Sequence, residues 1–223
     1  MSSKELEVVK KYLVENLDKG FIESSQALFT APVLFTKKPD GSLCFYIDFR
    51  KLNLLTKKDR YPLLLIDETL AWIGRAKMFT KLDIWQAFYC IRIHLDSKEL
   101  TTFQTRFRAY KCKVLLFGLT NGPSTYQWYM NDVLFDYLND FCTTYLDDIL
   151  IFSDNELEHE HHVRKVLERL RNAGLQIDLK KCEFYVIRTK YLGFIISTNS
   201  IKVDPDKISV VKSWKLPTTV KGV

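Results

Sequence analysis

Two adjacent aspartates, Asp147 and Asp148, stand inside an otherwise apolar run, FCTTYLDDILIFS (141–153). Apolar strands rarely tolerate unpaired charge, so the run has to turn at the pair. The flanking segments read as two strands joined by a tight turn that projects both carboxylates from one end of a sheet. A plain surface turn accounts for two acids, but not for such strongly apolar strands meeting at them. A divalent cation would compensate the repulsion between like charges. A third acid, Asp83, ends another apolar run, MFTKLD (78–83). If that strand pairs beside the 141–153 hairpin, three carboxylates converge. Hard oxygen ligands of this kind suit Mg²⁺ or Mn²⁺, and two such ions close together support phosphoryl-transfer chemistry.

The rest of the chain supplies a scaffold for such a sheet. Leu6, Val9, Leu13 and Leu17 recur at helical spacing over 3–19, with Ser2 and Glu5 as a capping box and Gly20 as a stop. APVLFT (31–36) and SLCFYI (42–47) flank a Lys-Lys-Pro-Asp-Gly turn and predict a hairpin with a basic loop. Residues 89–94 alternate like a strand, and 101–117 are rich in β-branched and aromatic types. Pro123 suits the first turn of a helix running to about Tyr137, with Tyr126, Met130, Val133 and Tyr137 on its inner face. Asn155 and Glu158 cap a helix that ends at Gly174 and carries Val163, Val166, Leu167 and Leu170 as its seam. A late strand is expected over 191–196, and another helix starts near Asp204 or Pro205. Helices on one side of a mostly antiparallel sheet make an α+β architecture.

Charge narrows the partners. The formal net charge is +6, the right sign for a phosphate backbone. Lys37, Lys38, Arg50, Lys51, Lys57, Lys58 and Arg60 outnumber Asp40, Asp48 and Asp59 in one stretch. A second patch, Arg106, Arg108, Lys111 and Lys113, contains no acid. The five cysteines form no CxxC pair and no zinc-spaced cluster, which fits reduced thiols in an intracellular protein. No apolar run reaches transmembrane length, so no membrane partner is expected. His159, His161 and His162 lie in an acidic helical stretch and read as a wet helix surface rather than a metal site.

The motifs, taken in order, resemble the reverse transcriptases of long-terminal-repeat retrotransposons of the Ty3/gypsy class. The matching stretches are APVLFTKKPDGSLCFYIDFRKLN (31–53), RYPLLLIDE (60–68), AKMFTKLDIWQAF (76–88), LLFGLTNGPSTYQWYMNDVL (115–134), YLDDILIFS (145–153), HVRKVLERLRNAGL (162–175), KCEF (181–184) and YLGFIIS (191–197). The resemblance implies a right-hand polymerase: an N-terminal helix (1–19) leading into the fingers, a fingers-and-palm domain (20–197) with an antiparallel palm sheet packed on helices, and the start of a thumb (198–223). Within the domain it puts the fingers at about 20–75 and again near 90–115. It implies an RNA-directed DNA polymerase that uses two Mg²⁺ or Mn²⁺ ions, with primer–template (RNA/DNA or DNA/DNA) and deoxynucleoside triphosphates as partners.

The same resemblance assigns residues. Asp83, Asp147 and Asp148 are the metal ligands, in agreement with the reading from the residues themselves. Phe88 takes the steric gate, where an aromatic ring crowds a 2′-OH. Lys38 takes the place of a fingers lysine that touches the triphosphate. Phe117, Gly118 and Gln127 belong to the segment that shapes the nucleotide and template pocket. Tyr145 packs near the primer end, and Leu192 and Gly193 form the turn that grips the primer terminus. Three positions depart from the family: Cys44 replaces an arginine that contacts the triphosphate, Leu116 replaces a proline, and Ala87 replaces a glycine. With only the start of a thumb and no RNase H segment, the sequence reads as a piece of a polyprotein or the product of a decayed element. The alternative to an active polymerase is a nucleic-acid-binding remnant with weak or no catalysis.

Overall fold

The computed structural model describes residues 1–37, 41–61, 66–198 and 200–214. In chain order the elements are helix α1 (Ser3–Asp18), strands β1 (Ile22–Ser24), β2 (Val33–Lys37) and β3 (Leu43–Ile47), helices α2 (Arg50–Leu55) and α3 (Ile66–Ile73), strands β4 (Met78–Asp83), β5 (Phe103–Gln104) and β6 (Ala109–Cys112), and helix α4 (Gly122–Val133). Strands β7 (Cys142–Tyr145) and β8 (Asp148–Ser153), helix α5 (Glu156–Asn172), strands β9 (Glu183–Val186), β10 (Arg188–Tyr191), β11 (Phe194–Ser197) and β12 (Ser200–Val203), and helix α6 (Pro205–Lys212) follow. Helix limits obey local chemistry. Ser2 and Glu5 exchange capping hydrogen bonds at α1, and the Asn155 carboxamide oxygen accepts from the Glu158 N–H at α5 (2.9 Å). Gly20 and Gly174 take positive φ just past the helix ends, a conformation that costs glycine little.

The chain forms two units. The first comprises Met1–Pro62 and Gln86–Trp128. It holds the antiparallel sheet β1-β6-β5 and the β2–β3 hairpin. Val9 and Leu13 of α1 pack with Ile22, Phe49, Phe103, Cys112 and Leu116 in its core. Leu116, which the resemblance sets at a proline position, is a packed core side chain. In the hairpin, Phe35 and Phe45 pair across the strands and pack on that core together with Val33 and Ile47. The alternation expected over 89–94 does not produce a strand. Gln86 at φ 52° leads into a 3₁₀ turn over Ala87–Cys90, and only an isolated bridge, Arg92 to Val114, follows.

The second unit comprises Leu63–Trp85 and Tyr129–Val223. Its main sheet runs β7-β8-β4-β9, all antiparallel. Phe79, Leu82, Ile149, Leu150 and Ile151 are fully buried, and α5 packs against β8 and β4. A second sheet, β10-β11-β12, adds Tyr191 and Ile196 to a core with Ile73, Ala76, Phe79 and Leu150. The single late strand expected over 191–196 is two strands. Tyr191 pairs with Phe194, so Leu192 and Gly193 form a two-residue turn with φ of 53° and 79°, the sign pattern of a type I′ hairpin. Among the described residues no helix is long and apolar enough to cross a membrane.

One expectation for α5 is overturned. His159 is not on a wet face: it is fully buried. Its ring bonds the Thr80 hydroxyl through Nε2 (2.7 Å) and the Ser153 hydroxyl through Nδ1 (2.9 Å), and Ser153 also bonds His162 Nδ1 (2.8 Å). The helix seam recruits a histidine because hydroxyls on β4 and β8 satisfy both ring nitrogens. Burial, aided by His162, pushes the His159 pKa from 6.5 down to about 4. Between those values the unfolded chain binds the proton and the folded chain does not, so stability is full above pH ~6.5 and falls as the pH drops toward 4. The expected loss is on the order of 2–3 kcal/mol. Denaturant unfolding at stepped pH should show it, and His159→Gln should flatten the dependence; an unchanged slope in that variant would reject the assignment.

Candidate active site

The three aspartates all belong to the second unit. β4 and β8 pair in a register that sets Asp83 directly opposite Asp148. β7 and β8 pair so that Tyr145 faces Asp148, leaving Leu146 and Asp147 as the turn. Leu146 takes φ 53°, a left-handed conformation that costs a residue with a Cβ roughly 1–2 kcal/mol. Strain of this kind persists only where surrounding structure enforces it, and it clusters at functional sites. Here the Ile84 N–H donates to the Asp147 carbonyl (3.0 Å), tying the turn to the end of β4. The two strands and their turn therefore bring all three acids to one end of the sheet.

The side chains are not gathered around one point. Asp83, only 9% exposed, accepts from Lys181 Nζ at 3.1 and 3.3 Å. Asp148 pairs with Lys81 at 3.1 Å. Among the described residues no group of three or more His, Cys, Asp or Glu side chains is disposed to hold a metal ion. The electrostatics nonetheless register a carboxylate cluster. Desolvation raises the Asp148 pKa, Lys81 opposes this, and the charges of Asp147 and Asp83 raise it further. The hydrogen bond to Asp83 raises the Lys181 pKa. Three carboxylates on adjoining backbone positions fit a hard divalent cation as a donor set, with two of them currently turned toward lysines.

Neither lysine was anticipated from the sequence. Lys81 had a signal: residues 81 and 83 share a strand face, and Asp148 lies diagonally across from 81. Lys181 had only its place in KCEF. The Asp178 N–H donates to the Asp83 carbonyl (2.9 Å), and this folds the 178–182 segment back on β4. Tyr145 is partly buried against the core of the same unit, as is Leu192. Gly193 cannot be replaced without displacement, since a Cβ there would run into the Lys207 side chain.

The residues that the resemblance assigns to the nucleotide belong, where described, to the first unit. Phe88 is buried and packs on Phe117 (ring centroids 4.5 Å apart) and Tyr126 (5.4 Å). Phe117 is largely exposed and Gln127 buried. Gly118 takes φ 93°, open only to glycine at low cost. Two side chains not singled out from the sequence brace this loop. Asn53 donates to the Gly118 carbonyl (2.7 Å) and accepts from the Thr120 N–H (2.9 Å). Asn121 accepts from the Asp59 N–H (3.0 Å) and donates to the Lys57 carbonyl (2.9 Å). Cys44 lies opposite Thr36 in the β2–β3 hairpin. Lys38 falls outside the described residues.

The second basic patch is not free of acid in space. Lys111 pairs with both Glu99 and Glu23, and Lys113 pairs with Glu23. Sequence distance hid these partners, which come from the neighbouring strand β1 and from the segment before β5.

This chain belongs to the reverse transcriptase (RNA-dependent DNA polymerase) family, whose model matches residues 36–196. Its relatives place it among long-terminal-repeat retrotransposons of the Ty3/gypsy type. It is 37% identical over 220 residues to the retrovirus-related Pol polyprotein from transposon 297 of Drosophila melanogaster, a match covering 96% of this chain and 21% of that polyprotein. It is 34% identical over 207 residues to the transposon Tf2-3 polyprotein of Schizosaccharomyces pombe, covering 93% and 16% respectively. The chain thus spans about a fifth, or less, of the length of the curated relatives it matches. Its fold is similar to that of the foamy viral protease-reverse transcriptase in complex with RNA/DNA hybrid, with TM-score 0.86 and 21% identity over 100% of this chain and 30% of that one. Native prototype foamy virus protease-reverse transcriptase gives TM-score 0.77 at 27% identity over 91% and 26%. The α+β architecture with antiparallel sheets is the reverse transcriptase fold.

Proposed function

We propose that this chain is the fingers-and-palm portion (20–197) of an RNA-directed DNA polymerase that adds deoxynucleotides to a primer 3′-OH on an RNA or DNA template. The observation that carries this reading is the backbone register setting Asp83 opposite Asp148, with Asp147 in a strained turn beside them. Asp83, Asp147 and Asp148 would hold two Mg²⁺ or Mn²⁺ ions. When bound, such ions supply Lewis-acid activation of the 3′-hydroxyl and charge stabilisation for the departing pyrophosphate. Lys81 and Lys181 offset two of the three carboxylate charges and so ease their assembly at one sheet end. Tyr145, Leu192 and Gly193 are assigned to the primer end. Lys38, Phe117, Gly118 and Gln127 are assigned to the nucleotide. Foamy viral proteins of similar fold have been captured with RNA/DNA hybrid and with double-stranded DNA, which supports primer–template as the partner. We take 1–19 as the lead-in helix and 198–223 as the start of a thumb. The test is extension of a labelled primer on RNA and DNA templates with Mg²⁺ or Mn²⁺; no extension with any pairing of template and ion rejects the reading.

Phe88 is proposed as the sugar gate. Phe88→Val removes ring volume and should raise the efficiency ratio of ribo- to deoxyribonucleotides about tenfold or more. Because the ring is packed, the variant should also lose about 1–3 kcal/mol of stability. Steady-state kinetics with both nucleotide types, alongside denaturant unfolding, reads both effects. A stability loss with an unmoved ratio makes Phe88 a core residue only.

A second reading, a remnant that binds nucleic acid but polymerises weakly, is favoured by one observation. Cys44 lacks the family's positive charge, and Arg50, a basic side chain of the same unit that could substitute for it, is committed to Asp48 through hydrogen bonds of 2.9 and 2.7 Å.

A further inference from the structure

The basic stretch 106–113 divides in space into two parts with different chemistry. Lys111 and Lys113 are neutralised by Glu23 and Glu99. Arg106 and Arg108, at the tip of the β5–β6 hairpin, are exposed and make no ion pair among the described residues. Between them Phe107 presents its ring to solvent at 52% exposure. An arginine–phenylalanine–arginine tip, exposed at all three positions and without an ion pair among the described residues, contributes little to the core.

The tip is also held by hydrogen bonds. Buried Thr105 holds it from within: its hydroxyl donates to the Arg108 carbonyl (2.8 Å) and accepts from the Phe107 and Arg108 N–H groups (3.2 Å each). The Thr105 N–H adds a further bond to the Arg108 carbonyl (3.1 Å). The segment after β1 runs alongside. The Ser25 N–H donates to the Ala109 carbonyl, and Thr30 bonds Gln104. Leu28 and Phe29, both exposed, therefore lie on the stretch that flanks the hairpin end.

We infer that this tip is a grip for single-stranded nucleic acid. Two guanidinium groups on a fixed turn suit successive phosphates, and a solvent-facing ring between them suits an unpaired base, whose face is available only outside a duplex. The apolar flank of Leu28 and Phe29 extends the stacking surface. A double helix offers the same phosphates but no free base face, so the tip discriminates strands from duplexes. The site lies wholly within the first unit and does not depend on polymerase chemistry.

The test uses the full chain and fluorescence anisotropy with a labelled single-stranded oligothymidylate and, separately, a blunt duplex. Arg106→Ser/Arg108→Ser should weaken single-strand binding about tenfold or more and reduce the slope of log affinity against log salt by about 1.4, two phosphate contacts at about 0.7 each. Phe107→Ser should weaken it about fivefold or more with the slope unchanged. Blunt-duplex affinity should move less than about twofold for Phe107→Ser, and for the arginine pair it should fall less than single-strand affinity does. All three positions are exposed, and unchanged thermal melting confirms that the fold survives. Single-strand affinity within about twofold of the parent in both variants overturns the inference. Equal losses on strand and duplex overturn it too, because the tip would then be only a general electrostatic contact. Failure of primer extension by the parent chain, by contrast, bears on the polymerase reading and leaves these binding measurements intact.

Discussion

Asp147→Asn is expected to reduce primer extension about a thousandfold or more while primer–template affinity stays within a few fold. The substitution keeps the shape of the side chain and removes one negative charge from the turn between β7 and β8. An amide oxygen remains a ligand, but a weaker one, and the charge that balances a divalent ion is gone. Transition-state charge stabilisation by such ions amounts to several kcal/mol, and roughly 4 kcal/mol corresponds to the expected factor. A readout independent of activity accompanies it. Ions that bind only the folded chain raise its melting temperature with concentration; Mn²⁺ should do so for the parent and much less for Asp147→Asn. Near-parental extension by this variant would remove Asp147 from the metal site. A melting response to Mn²⁺ equal to the parent's would do the same without any polymerase assay.

What could be read from the chain beforehand was mostly local. Helix limits at Ser2, Gly20, Asn155 and Gly174 depend on residues within one turn of each other, so the signals lie together in sequence. The acidic pair betrayed its turn because the apolar strands around it leave no other place for charge. Partners brought in from a distance were not legible. Nothing near Asp83 indicates that a segment ending in Cys182 folds back to deliver Lys181. Nothing near Lys111 points to Glu23 or Glu99. His159 looked solvated because its neighbours in sequence are acidic, but its neighbours in space are the hydroxyls of Thr80 and Ser153. Short strands such as β1 and β12 carry little periodicity of their own and exist because a partner strand is already in place. The opposite failure occurred at 89–94, where a convincing alternation lost to the 3₁₀ turn entered through Gln86.

Replacing Cys44 by arginine is expected to improve nucleotide use. In β3, Phe45 and Ile47 pack on the core of the first unit. Residue 44, one position out of phase, is therefore on the opposite face of the hairpin, paired with Thr36. A long side chain can be housed there without disturbing the core, since Cys44 is only half-buried. The family resemblance puts a triphosphate-binding arginine at this place. A guanidinium offers phosphate a planar fork of charged donors, whereas a thiol offers one weak donor. Charge-assisted hydrogen bonds contribute roughly 1.5–3 kcal/mol, so losing the group corresponds to a factor of about 10 to 150 in catalytic efficiency. Arg50 is a poor substitute, because both arms of its fork already hold the carboxylate of Asp48. Breaking that pair would expose a carboxylate whose pKa the arginine holds down at about 2. Cys44→Arg should therefore raise the efficiency for deoxynucleotides about tenfold or more, with primer–template affinity nearly unchanged. Cys44→Lys supplies charge without the fork and should recover less. The measurement is steady-state extension across nucleotide concentrations for the three chains side by side. Equal efficiency in all three, or a gain confined to primer–template affinity, would mean that position 44 does not serve the triphosphate in this protein.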